Sequence, residues 1–214
     1  MFGFVAIVGI GLFTIFSVSN LASDNVQLTP KTKQRIKMLW EVAQKTMRTH
    51  KYLPAEKALL TIIKLDHKNA PAYNRLGILY AKQQEYKDAL QCFEIASSIE
   101  PKPSSLHNLG LLYYETGKYE KASVAFEQAL DKEPVATRYI AFAKVLSKMD
   151  DKKGVIKALE NAVNLESNPQ TLNLLAEAYV EAGDVVAAEE TRSKIEQVVI
   201  PETKVVKKRR QLRM

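Results

Sequence analysis

Two hydrophobic patterns divide the chain. The first 18 residues, Met1 to Val18, read MFGFVAIVGIGLFTIFSV and carry no charge, with only Thr14 and Ser17 as polar side chains. As a helix rising about 1.5 Å per residue, that run is roughly 27 Å long, close to the hydrocarbon thickness of a bilayer. Further along, apolar residues recur at the three- and four-residue spacing of amphipathic helices, and the pattern repeats itself. Tyr73-Asn74-Arg75-Leu76-Gly77-x-x-Tyr80 is followed by Tyr86-x-x-Ala89-x-x-x-Phe93-x-x-Ala96 and Pro101. Leu106-His107-Asn108-Leu109-Gly110-x-x-Tyr113 is followed by Tyr119-x-x-Ala122-x-x-x-Phe126-x-x-Ala129 and Pro134. The landmarks return after 33 residues, a period that predicts a stack of helix-turn-helix units.

Three weaker copies extend the pattern in both directions. Upstream, Val42-Ala43 stands for Leu-Gly, followed by Tyr52, Ala55, Leu59 and Ile62. Downstream, Phe142-Ala143 precedes Val155, Leu159 and Ala162, and Leu175-Ala176-x-x-Tyr179 precedes Gly183, Ala188 and Ile195, with Arg192 where the other copies have an apolar residue. The boundaries that follow are an anchor at 1–20, a basic linker at 21–35, a repeat region at 36–199 with units at 36–69, 70–102, 103–135, 136–168 and 169–199, and a basic tail at 200–214.

The Leu-Gly-x-x-Tyr of one helix and the Ala-x-x-x-Phe-x-x-Ala-Pro of the next resemble the tetratricopeptide-repeat (TPR) family over about three quarters of the chain. The resemblance implies an all-α fold of ten helices, paired and stacked into a right-handed superhelix of about five repeats. It places Gly77, Gly110, Ala89 and Ala122 at close helix contacts, where small side chains let the two helices of a hairpin approach, with the prolines between repeats where the chain turns.

Charge refines this organisation. Of the net charge of +7, much lies outside the central repeats. Lys31, Lys33, Arg35 and Lys37 stand against Asp24, and Lys204, Lys207, Lys208, Arg209, Arg210 and Arg213 stand against Glu202. Basic residues beside a membrane helix stay on the cytoplasmic side, so a short N-terminus outside and a cytoplasmic repeat domain are expected. No Lys or Arg precedes the apolar run, as a cleaved signal peptide would require. The tail reads as a solvated basic extension or a contact for anionic lipid headgroups. Nucleic acid is disfavoured, because no aromatic residue is interleaved there to stack on bases.

Catalytic chemistry is not indicated. His50, His67 and His107 fall in separate repeats at no metal-ligand spacing, Cys92 is the single cysteine, and no P-loop or GxSxG pattern occurs. No enzyme, metal or cofactor is expected, and Cys92 reads as a buried, inert thiol. The TPR resemblance implies instead a concave groove that holds a protein or peptide segment. Its lining is expected at Trp40, Gln44 and Met47; Asn74, Ile78 and Ala81; His107, Leu111 and Tyr114; Ile140, Lys144 and Ser147; and Asn173, Glu177 and Val180. The Lys and Asn pairs with which chaperone-binding members clamp a terminal carboxylate are missing from these positions. Ile78, Leu111, Tyr114 and Ile140 form an apolar strip instead, with Asn74, His107, Lys144 and Asn173 beside it; Leu111 and Ile140 could equally pack between neighbouring repeats. The expected function is a membrane-anchored adaptor that recruits or assembles partners at the cytoplasmic face. An exported envelope module of a secretion or pilus assembly is the alternative, and lipid or nucleic-acid binding through the tail a third.

Overall fold

A computed structural model describes residues 28–199. The expected anchor at 1–20 and basic tail at 200–214 lie outside these residues. Among the described residues there are ten α-helices and no strand. They pair in chain order as α1 (Pro30–Arg48) with α2 (Tyr52–Leu65), α3 (Ala70–Lys82) with α4 (Tyr86–Ile99), and α5 (Pro103–Glu115) with α6 (Tyr119–Lys132). The last two hairpins are α7 (Ala136–Lys148) with α8 (Lys152–Leu165) and α9 (Pro169–Ala182) with α10 (Val185–Val199). The chain divides between Lys132 and Glu133 into two compact units, so the first holds three hairpins and the second two. No described helix is long and apolar enough to cross a membrane.

Local chemistry sets where the helices begin. Pro30, Pro71, Pro103 and Pro169 occupy first-turn positions, where the missing N–H has no intrahelical partner to lose. Side chains cap several starts: Asn69 accepts from the Ala72 amide at 3.1 Å and Asp151 from the Gly154 amide at 2.9 Å. Asn168 and Thr171 satisfy each other's backbone in a reciprocal capping box. Thr29 caps α1 by accepting from the Thr32 amide. That helix therefore starts at Pro30, ahead of the boundary at 36 drawn from the repeat pattern, and Lys31, Lys33 and Arg35 are helical rather than part of a linker.

Each hairpin turns through one residue with positive φ, at His50, Gln84, Gly117, Asp150 and Gly183. These positions are 33 or 34 residues apart, so the left-handed turn is part of the repeat. In three of the five hairpins a residue with a Cβ accepts the steric cost of that conformation.

The hairpins close on the small residues expected from the sequence, with one refinement. A Cβ placed on Gly77 would lie 2.7 Å from Cε1 of Phe93, and one on Gly110 would lie 2.9 Å from Cε2 of Phe126. Glycine thus makes room for the aromatic ring of the facing helix, while Ala89, Ala96, Ala122 and Ala129 are fully buried around it. The core of the first unit also holds Leu59, Ile62, Ile63, Leu76, Leu79 and Tyr80. In the second unit Ala143, Leu146, Val155, Ala158, Leu159, Leu175 and Ala178 form one buried cluster.

Successive hairpins within a unit are tied by the repeat tyrosine. The Tyr80 hydroxyl donates to Glu56 Oε1 at 2.9 Å, Tyr113 to Glu94 Oε1 at 2.8 Å, and Tyr179 to Glu160 Oε1 at 2.7 Å. Each carboxylate stands on the second helix of the preceding hairpin. In the last hairpin Ala188 and Thr191 turn inward, and Arg192 stays at the surface, paired with Glu189 at 2.8 Å.

Two outcomes test these features. Gln84→Gly is expected to raise the unfolding free energy by about 0.5–1 kcal/mol by removing the positive-φ cost. Gly117→Ala is expected to lower it by about 1 kcal/mol through backbone strain alone, because an added Cβ there meets no atom within 4 Å. Urea titrations of both variants measure this. The hydroxyls of Tyr113 and Tyr179 are pushed up to about 12, first by burial and then by their hydrogen bonds to Glu94 and Glu160. Their unfolded value is about 10, so the stability they contribute is complete below pH about 10 and is lost as the pH rises through about 12. The urea midpoint should fall across that window, and Tyr113→Phe with Tyr179→Phe should flatten the fall.

Candidate functional site

A concavity lies within the first unit, between the first helices of its second and third hairpins. It is a cavity of about 310 Å³ with α3 on one wall and α5 on the other. Ile78, Ala81 and Lys82 line the α3 side, and Asn108, Leu111, Leu112 and Glu115 the α5 side. Tyr86 and Phe93 enter from α4. The Phe93 ring is held by its close approach to Gly77, so the contact that closes the hairpin also sets one surface of the pocket.

The expected groove residues distribute as follows. Ile78 and Leu111 come together in this pocket, joined by Ala81. Leu111 remains 39% exposed. Asn74 is half-buried and accepts from Asn108 Nδ2 through its Oδ1 at 3.0 Å, linking α3 to α5 beside the pocket. His107 is half-buried with its ring edge-on to Phe126, the centroids 5.4 Å apart. Tyr114 is half-buried against Tyr119 at a centroid distance of 5.8 Å, outside the pocket lining. Trp40 and Met47 are half-buried on α1 and Gln44 is exposed there; none of the three lines the pocket.

The remaining expected residues belong to the second unit. Ile140 is half-buried and packs against that unit's core. Lys144 and Ser147 on α7, and Asn173, Glu177 and Val180 on α9, are exposed. The basic tail, Lys204, Lys207, Lys208, Arg209, Arg210 and Arg213, lies outside the described residues.

Reading the first helices alone misses Tyr86 and Phe93, which reach the pocket from the facing helix, and the rim residues Lys82 and Glu115. It also misses Asn108. The 33-residue register sets Asn74 against His107, while the hydrogen-bonded partner stands 34 residues on. The pocket wall is apolar, with one cation and one anion at its ends and an amide pair beside it, which suits an apolar side chain carried by a polypeptide.

Cys92 is fully buried, and its thiol is pushed up by burial first and then by Asp88 and Glu56, which leaves it neutral and unreactive. Among the described residues no group of three or more His, Cys, Asp and Glu is placed to hold a metal ion.

Comparison with known proteins agrees with this architecture. The sequence profile of the tetratricopeptide repeat matches residues 69–132, the stretch that contains α3 to α6. No curated protein matches the chain in sequence. Among solved structures, MamA from Desulfovibrio magneticus RS-1, residues 41 to the end, superposes with a TM-score of 0.70 at 17% identity, covering 83% of this chain and 99% of that one. PilF of Pseudomonas aeruginosa superposes with a TM-score of 0.68 at 17% identity, covering 78% of each chain. Residues 69–132 thus carry the tetratricopeptide-repeat pattern, and the helical hairpins described before and after them share the fold of these solved structures.

Proposed function

We propose that the protein is a membrane-anchored scaffold that holds an apolar-anchored segment of a partner protein between α3 and α5. TPR proteins are protein-interaction scaffolds, and the observation that carries the reading here is the apolar pocket joining Ile78 to Leu111 across two repeats. A partner residue with a large apolar side chain would fill it, while the Asn74–Asn108 pair and the rim charges of Lys82 and Glu115 would meet the polar backbone around that anchor. Burying one Leu- or Phe-sized side chain contributes about 1.5–3 kcal/mol, so one pocket supplies modest affinity and further contacts along the groove would set the total.

In this reading residues 1–20 hold the chain in the bilayer with the N-terminus outside, and the repeats face the cytoplasm. The uncharged run from Met1 to Val18 and the basic residues that follow it support that orientation. The basic tail would add contact with anionic headgroups. The partner is thereby concentrated at the inner membrane face, which is what an adaptor requires.

The test compares the full-length chain with Leu111→Asp and with Ile78→Asp, each purified in detergent and presented to partners captured by the unaltered protein. A charge placed against the apolar wall is expected to reduce capture at least tenfold, the equivalent of about 1.4 kcal/mol. Helicity should be unchanged and the melting temperature of Leu111→Asp close to that of the parent, because the side chain is already partly in water. Full capture by both folded variants would place binding elsewhere. Reporter fusions at residue 199 check the orientation independently, and activity of an exported reporter would overturn the cytoplasmic assignment.

A further inference from the structure

Helix α1 has 19 residues, more than any other described helix, and it is basic. Lys31, Lys33, Arg35, Lys37, Lys45 and Arg48 stand on it against Glu41 as its single acid. Ile36 and Ala43 carry its buried side. Away from that side, Lys31, Arg35, Met38, Val42 and Lys45 follow at steps of four, three, four and three residues, the spacing that keeps side chains on one helix face. All five are exposed, Met38 by 54% and Val42 by 45%, and the three cations make no ion pair with a described residue.

The same face is covered in the next two repeats. The positions aligned with Met38, Val42 and Lys45 are Ala72, Leu76 and Leu79 on α3, and Ser105, Leu109 and Leu112 on α5, all buried. In α1 the face keeps two apolar side chains at its centre and gains cations around them. Neutral burial against another helix does not call for Lys31, Arg35 and Lys45. A bilayer surface with acidic headgroups does: the cations meet phosphate charge, and Met38 and Val42 reach the boundary of the acyl region.

Position along the chain agrees. Eleven residues, 19–29, separate the apolar run from α1, and fully extended they span at most roughly 40 Å. With the run inserted, α1 cannot leave the neighbourhood of the membrane.

We propose that the face of α1 formed by Lys31, Arg35, Met38, Val42 and Lys45 docks on an anionic lipid surface. The proposal rests on the membrane reading above for its geometry, and it adds a second attachment that sets how the first hairpin lies against the bilayer.

The experiment uses the full chain carrying Met38→Cys and a polarity-sensitive fluorophore at that position. Cys92 stays unlabelled because it is fully buried. The labelled chain is incorporated into nanodiscs of phosphatidylcholine alone or with phosphatidylglycerol. The expected result is co-elution with both kinds of disc, and a blue-shifted emission only where phosphatidylglycerol is present. The shift should vanish at 1 M salt, where the Debye length is about 3 Å, and in a Lys31→Glu, Arg35→Glu, Lys45→Glu background whose helicity is unchanged. The same emission in both lipids overturns the docking face and leaves the anchor intact. Failure to co-elute with phosphatidylcholine discs overturns the anchor instead, and the same emission comparison on vesicles then decides the face. A blue shift that grows with protein concentration in detergent, without phosphatidylglycerol, assigns the face to a second copy of the chain and overturns the proposal.

Discussion

The packing of Phe93 against Gly77 is the contact on which the central part of the molecule depends. A side chain as small as alanine at residue 77 would press into the ring at 2.7 Å, so the distance between α3 and α4 is set by the absence of a Cβ. The ring also lines the pocket between α3 and α5. Hairpin closure and groove shape are therefore two consequences of one packing choice. The next repeat makes the same choice with Gly110 and Phe126.

The other repeats meet the same spatial demand with different residues. Where the small position is Ala43 or Ala143, the aligned large position is Leu59 or Leu159, and all four are buried. Exchanging glycine and phenylalanine for alanine and leucine moves volume from one helix to the other, the kind of swap that cores tolerate. Only the last repeat departs from it: Ala176 stands opposite Arg192, which remains in water. Arg192 pairs there with Glu189 at 2.8 Å, so the charge is met at the surface rather than in the core. Because small residues, ring or leucine, and the tyrosine–glutamate ties fix the scaffold, the outer positions of the first helices are free to carry the groove. Ile78 and Leu111, at such outer positions, remain partly in water.

How much of this was legible in the sequence follows the same division. Positions that the scaffold constrains, such as Gly77, Gly110, Ala89 and Ala122, announce themselves by residue type at a fixed period, and the ten helices follow from them. The turn positions were half legible: glycine marks residues 117 and 183, but His50, Gln84 and Asp150 adopt the same conformation without advertising it. The start of α1 was hidden because its cap, Thr29, belongs to no repeat landmark. In the groove, register decided the outcome. Of the expected apolar strip, Ile78 and Leu111 line one pocket, while Asn74 bonds a partner one residue beyond the repeat period and Ile140 packs against its own unit's core. Tyr86 and Phe93 were recognised as landmarks of the second helix, yet their part in the pocket depends on how two hairpins stack, which no single repeat encodes.

The claim that a ring against a missing Cβ sets both the hairpin and the pocket is tested most directly by a double-mutant cycle on Gly77→Ala and Phe93→Leu, read as unfolding free energies in urea. The account predicts that Gly77→Ala alone costs about 1–3 kcal/mol through overpacking. With Phe93→Leu also present, the alanine should fit, as it does beside Leu59 and Leu159, giving a favourable coupling of about 0.5–3 kcal/mol. If the two costs simply add, Gly77 and Phe93 do not share a contact that matters, and the account of the hairpin and its pocket is wrong.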